Sequence, residues 1–351
     1  MIGREKMDQR IYYRPVVCVG PRPSEALGLA GRPELWFSQV ECLSRDRPAR
    51  VVSLADVPEA VLSRLSTPRA PLCGLSMDRP RLMGILNVTP DSFSDGGCYE
   101  TREKSLSQAR RLVTEGADIL DIGGESTRPG AETIPPDLEI ARTAPLIETL
   151  CRGRGIGAPI SIDTRKSAVA AAAFAAGAAM LNDVSALSFD PGMAAVVGAA
   201  AAPVCLMHSR GSPATMQNDP RYRDVLLDVY DHLEARIRVA EDAGIARTCI
   251  VVDPGIGFGK TLAHNLALIR GISLFHGLGC PLLLGVSRKG FIGRIGLEDR
   301  AERRAPGSIA LGLEGLRQGV QLLRVHDIRE TRQAVLLWQA VHRPNHIKAN
   351  P

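Results

Sequence analysis

From Arg81 onward the chain repeats one phase: a short apolar run ending on a polar residue, then a loop, then a stretch with helical periodicity. GADILD at 116–121 and GAAMLN at 177–182 each open on a helix-ending glycine and close a strand on a polar side chain. The segments 279–287 and 319–326 keep the same phase. Such runs predict strands near 81–87, 118–122, 159–162, 179–182, 203–207, 249–252, 281–286 and 321–325. Helices are expected between them, near 104–115, 137–150, 166–176, 190–200, 220–243, 263–271, 305–318 and 328–342.

Eight βα units over residues 81–342 suit the roughly 250 residues of a (β/α)8 TIM barrel. The runs ILDI, LLLGV and CIVV are apolar on both faces, as a parallel sheet covered by helices requires. An open doubly wound α/β sheet has the same period; length favours the barrel. Residues 1–79 are rich in proline and arginine, with a strand expected over 36–43 and a short helix over 57–65, and belong to no nameable fold. The expected organisation is thus an N-terminal extension at 1–79, a barrel at 80–345 and a tail at 346–351.

Composition narrows the class. With 351 residues and 45% hydrophobic side chains the chain can bury a sizeable core, which excludes general disorder. The formal charge of +5 suits anionic substrates, but the charges are interspersed and form no basic stripe with interleaved aromatics, so no nucleic acid partner is expected. Cysteines 18, 42, 73, 98, 151, 205, 249 and 280 lack zinc-knuckle or redox spacing and read as reduced thiols. The start MIGREKMDQR has no apolar core for a signal peptide, and the most apolar run, 194–207, is interrupted by Gly198 and Pro203. A cytoplasmic protein with no membrane association is expected.

On a barrel, polar residues just past each strand converge on one face and build the site. Here they are Asn87, Asp121, Asp163, Asn182, His208, Asp253, Ser287, Lys289, Arg324 and His326. Capping of helices and loop backbone accounts for such residues in the bland reading, and Asp121 and His208 are assigned to it. The glycine-rich PGIGFGKT at 254–261 is a poor phosphate loop, since Pro254 stands where the first glycine belongs. Its glycines read better as letting backbone approach a flat ligand.

These motifs carry a family resemblance. MGILNVTPDSFSDGG at 83–97, DIGGESTRPGA at 121–131, SIDTRKS at 161–167, LNDVSA at 181–186, VVDPGIGFGKT at 251–261, GVSRKGFIG at 285–293 and RVHD at 324–327 resemble dihydropteroate synthase, in family order across nearly all of 81–342. The first 79 residues lie outside it. A pterin presents a row of N–H donors that a buried carboxylate reads well. The resemblance gives this role to Asp253, with Asn182 and Asp163 on further edges and Lys289 donating to the carbonyl and a ring nitrogen. Met207 and Phe258 would pack beside the ring, although Met207 also suits ordinary core.

The resemblance further implies that Asn87 ligates Mg2+ and that Arg324 and His326 hold a diphosphate. Thr127, Arg128 and Ser287 would serve a 4-aminobenzoate pocket, with Asp91 and Phe93 contributed by the loop after the first strand. The implied reaction displaces diphosphate from a pterin methylene by the arylamine, through a methylene cation that Asp163, Lys289, Arg324 and His326 would help to form and hold. A homodimer and inhibition by sulfonamides are implied as well. The alternatives are a pterin-dependent corrinoid methyltransferase domain, which would need neither the LNVTPDSFSDGG loop nor RVHD, and a catalytically silent pterin-binding paralogue.

Overall fold

A computed structural model describes residues 10–88, 98–126, 131–153, 155–211, 216 and 218–343. Eight parallel strands form one sheet: β7 (Arg81–Asn87), β8 (Ile119–Gly123), β9 (Ile160–Asp163), β10 (Met180–Asp183), β11 (Val204–Met207), β12 (Ile250–Asp253), β13 (Leu283–Leu284) and β14 (Leu322–Val325). Their order runs β12-β11-β10-β9-β8-β7-β14-β13. A parallel bridge from Val252 to Leu282 and the bond from Val252 N to Pro281 O (3.0 Å) join the two ends. This closure makes the fold a (β/α)8 barrel and removes the open-sheet alternative.

The strands form because nearly every residue in them is buried on both faces. Most begin a residue or two later than the apolar pattern predicts, and β9, β10 and β12 extend to take in Asp163, Asp183 and Asp253. Asp163 pairs in register with Asn182, Met207 with Asp253, and Asn87 with Gly123. The polar residues are therefore held by the ladder itself. The outer helices are α2 (Cys98–Thr114), α3 (Pro136–Cys151), α4 (Ser167–Ala175), α5 (Met193–Ala200), α6 (Val225–Asp242), α7 (Leu262–Arg270), α8 (Gly290–Gly296), α9 (Ala305–Arg317) and α10 (Ile328–His342). The short α8 and a 3-10 turn at Ile272–Leu278 were not expected from periodicity. Among the described residues no helix is long and apolar enough to cross a membrane.

Residues 12–66 build two three-stranded antiparallel sheets and one helix. β1 (Tyr12–Pro15), β5 (Gln39–Leu43) and β6 (Arg50–Ser53) form one sheet; β2 (Cys18–Val19), β4 (Arg32–Phe37) and β3 (Leu27–Leu29) form the other. The single strand expected over 36–43 is divided at Ser38, where the chain passes from one sheet to the other. Helix α1 (Glu59–Ser66) completes a small core of Leu29, Leu35, Phe37, Val40, Val57 and Leu65.

This unit is tied to the barrel by charge. Arg10 and Arg45 bind Asp231 of α6, and the buried Arg32, paired with Glu34, donates to Val320 O at 2.8 Å. Beyond it, Leu72 and Met77 are fully buried against Met83, Ile119, Met180, Cys205, Val251, Leu283 and Leu322. Those residues stand near the starts of seven strands, so segment 69–80 seals the N-terminal mouth of the barrel.

Candidate active site

The opposite mouth carries the polar ends of the strands. Arg324 on β14 donates from Nε to Asp121 Oδ2 (2.6 Å) and from Nη2 to Asp163 Oδ2 (2.6 Å). Asn182 Nδ2 donates to the same Asp121 oxygen at 3.0 Å. Asp121 therefore caps nothing: it is fully buried on β8 and links β10 to β14, correcting the bland reading. Among the described residues Asp121 Oδ1 and Asp163 Oδ1 are buried with no hydrogen-bond partner, so the cluster holds two further acceptors.

Asp253 Oδ1 accepts from Gly255 N at 2.7 Å. Burial pushes its pKa up to about 6, against the opposing pull of that N–H and of the Lys289, Lys260 and Arg324 charges. Asp163 is pushed up to about 7, chiefly by burial, with Arg324 opposing and Asp121 adding like-charge repulsion. Lys289 Nζ sits 4.1 Å from the centre of the Phe258 ring, a cation–π contact. Withdrawal from water and the nearby Arg324 charge bring its pKa down to about 8. Met207 is buried at the end of β11, paired in register with Asp253.

His208 is also no cap. Its Nδ1 lies 2.9 Å from Lys260 Nζ, which donates further to Phe258 O (3.0 Å) and His208 O (3.3 Å). Sequence reasoning gave no role to Lys260, whose partners at residues 208 and 258 the motif's glycine spacing does not mark. It staples the turn after Asp253 to the end of β11. Gly255, at φ +68°, lies so close that a Cβ would fall 1.8 Å from His208 O. The close approach is to neighbouring backbone, whereas Gly257 passes beneath Lys289.

At the phosphate side, Ser287 Oγ bonds His326 Nδ1 at 2.9 Å and accepts from His326 N at 3.1 Å. Between Ser287 and Lys289, Arg288 takes a left-handed φ of +58°, which costs a non-glycine residue about 1–2 kcal/mol. Its guanidinium holds Asp327 through Nε at 3.1 Å and Nη2 at 2.5 Å. Asn87 ends β7 with its Oδ1 facing Gly123, on which a Cβ would lie 3.8 Å from that oxygen and 3.5 Å from Asp163 Cβ. Asp91, Phe93, Thr127 and Arg128 lie outside the described residues. The stem of the loop after β8 is held by Glu125, which accepts from Lys166 Nζ (2.6 Å), Arg165 Nε (3.0 Å) and Ile134 N (2.9 Å).

The sequence profile described as "Pterin binding enzyme" matches residues 83–326. A dihydropteroate synthase of Neisseria meningitidis serogroup B is 45% identical over 266 residues, 74% of this chain and 92% of that protein. The Bacillus subtilis dihydropteroate synthase is 43% identical over 260 residues, 74% of this chain and 88% of its own. Xanthomonas albilineans dihydropteroate synthase with 4-aminobenzoic acid superposes at TM-score 0.73 and 46% identity, covering 79% of this chain and 98% of that one. The same enzyme in complex with 7,8-dihydropteroate gives 0.70 and 43%, covering 79% and 99%. The chain belongs to the pterin binding enzymes, in the dihydropteroate synthase family.

Proposed function

We propose that the protein is a dihydropteroate synthase of folate biosynthesis, joining 6-hydroxymethyl-7,8-dihydropterin diphosphate to 4-aminobenzoate with release of diphosphate. The observation that carries the reading is the Asp121–Arg324–Asp163 cluster beside Asp253 and Lys289: buried acceptors for a donor-rich ring adjoin a cation for an anionic leaving group. Asp253 reads the N–H row, Asn182 and Asp163 take further edges, and Lys289 donates to the ring carbonyl and a ring nitrogen. Phe258 and Met207 flank the ring.

The methylene carbon–oxygen bond breaks with its electron pair going to diphosphate. Arg324, whose Nε and Nη2 serve the two aspartates, offers Nη1 to that leaving group, and His326, its ring set by Ser287, holds it with Arg324. The ring nitrogen lone pair stabilises the methylene cation, and the Asp163 carboxylate lies where positive charge develops. The neutral arylamine nitrogen forms the new bond and sheds a proton. Ser287, Thr127 and Arg128, with Asp91 and Phe93, are assigned to the 4-aminobenzoate side, where exclusion of water protects the cation.

A magnesium ion fits this donor set. Mg2+ keeps several waters and takes one or two protein oxygens alongside substrate phosphates, so the single amide oxygen of Asn87 suits it. Bound there it would neutralise charge on the departing diphosphate. A homodimer is proposed on the exposed apolar face of Leu336, Leu337 and Val341 on α10, beside a hollow of about 550 Å3 lined also by Thr114 and Arg332. Sulfonamides are proposed as inhibitors, since a Yersinia pestis dihydropteroate synthase of 40% identity is described in a sulfonamide drug complex. The enzyme is taken to act in the cytoplasm.

Mass spectrometry of the two substrates incubated with the full-length chain, with and without Mg2+, tests the proposal. Dihydropteroate formed in a Mg2+-dependent way supports it; unconsumed substrates would overturn it. Methyl transfer from a methylated pterin to a corrinoid protein, without dihydropteroate, would instead favour the methyltransferase alternative.

A further inference from the structure

Two consecutive links join the end of β13 to the end of β14. The first is Ser287 with His326 and the second is Arg288 with Asp327. The first pair is already assigned to substrate. The second pair is unassigned, and both members depart from what their local backbone prefers. Arg288 is a left-handed arginine standing between Ser287 and Lys289, so the path from one to the other depends on that single conformation. Asp327 occupies the N-cap of α10, where an aspartate ordinarily accepts from the first turn, yet its side chain makes no capping bond and turns to Arg288 instead.

The surroundings reinforce this arrangement. Arg288 N donates to Ser308 Oγ at 2.9 Å, and Arg288 O accepts from Arg304 Nη1 at 3.2 Å. Ser308 Oγ in turn donates to Arg304 O at 2.8 Å, so the start of α9 grips both backbone groups of the left-handed residue. Departures from local preference that are held so firmly, and that flank substrate-facing residues, mark functional positions in otherwise consistent folds.

We propose that Arg288 and Asp327 are a positioning pair for the reaction. They fix the strand end carrying Ser287 and Lys289 against the one carrying His326, so that the ring-holding and diphosphate-holding groups keep one spacing. The pair acts through its neighbours and touches no reacting atom. The inference rests on the function proposed above, and deepens it by naming what sets the distance between the two halves of the site.

Asp327→Ser and Arg288→Gly separate positioning from scaffolding. Serine supplies a good N-cap while removing the ion pair, and glycine tolerates the left-handed turn without strain, so neither variant should unfold earlier than wild type on heating. Both should nevertheless lose roughly 10- to 100-fold in kcat/KM for the pterin diphosphate, because a small displacement of aligned groups is costly. The double variant should lose no more than the worse single one. Variants within two-fold of wild-type activity, losses that merely follow lowered thermal stability, or losses that multiply in the double variant would each overturn the pairing role. Should wild type itself form no dihydropteroate, the functional reading fails on its own. The pair is then judged by calorimetry with the pterin diphosphate: weakened binding in both variants upholds it, and unchanged binding sinks it.

Discussion

The guanidinium of Arg324 and the carboxylate of Asp163 meet at 2.6 Å across β14 and β9, and Asp121 takes the same guanidinium from the other side. A cation expected to face only the diphosphate thus also holds two aspartates of the ring-binding floor.

Arg324→Ala should therefore weaken more than the diphosphate end. Turnover is expected to fall ~10²–10³-fold, as for removal of one preorganised charge-stabilising donor. Affinity for free pterin should fall too, since Asp121 and Asp163 would be left as neighbouring buried carboxylates. Isothermal titration with pterin and with pterin diphosphate gives the comparison; unchanged pterin affinity would show that Arg324 serves the leaving group alone.

Asp253→Asn should change binding and stability in opposite directions. The amide oxygen can still accept from Gly255 N, but the amide matches only part of a donor row, so pterin affinity should fall at least ~10-fold. Stability should rise at neutral pH. The folded pKa of Asp253 is about 6 against an ordinary 3.8, so between those values the unfolded chain binds fewer protons than the folded one. Stability is then lost as pH rises through that window. Removing the carboxyl should recover on the order of 1–3 kcal/mol at pH 7.5 and little at pH 4. Urea unfolding of both proteins at the two pH values measures this, and an Asn variant less stable at pH 7.5 would contradict it.

Asn87→Ala should raise the Mg2+ concentration for half-maximal rate by roughly 10-fold or more, if its amide oxygen is a metal ligand. The pterin affinity of the metal-free protein should barely move. A rate profile against Mg2+ superimposable on wild type would remove Asn87 from the metal site.

Leu72→Ala should cost about 2–5 kcal/mol, because the side chain is fully buried against the starts of the barrel strands. A chain shortened to residues 80–351 should fare worse, with the floor layer exposed to water. Guanidinium unfolding of the point variant and the solubility of the shortened chain report this. A shortened chain that is as soluble and stable as the whole would show that the seal is dispensable.

The barrel was legible because its strands are apolar on both faces and end on polar residues; only their edges shifted, as the terminal Asp163 and Asp253 joined the ladder. The residues at the strand tops were legible by type and position, but their partnerships were not. Asp121 and Arg324 are 203 positions apart, and no local period encodes a bond across a barrel. Lys260 was not legible because its three acceptors are the backbone and ring of residues 208 and 258, and a bond to residue 208 crosses from one strand end to the next. The extension escaped because its division at Ser38 is a change of sheet within one extended run, which propensity does not mark. Asp91, Phe93, Thr127 and Arg128 rest on the motifs alone, lying outside the described residues.

The seal formed by Leu72 and Met77 also sets a timetable for folding. Its partners include Leu283 and Leu322, more than two hundred positions later in the chain, so the floor cannot close until the last strand has been made. During synthesis the early strands must wait with apolar faces uncovered, and contacts of such long sequence separation form slowly. Refolding is accordingly expected to be slow and concentration-sensitive, with chaperone assistance most useful in the interval before β14 arrives.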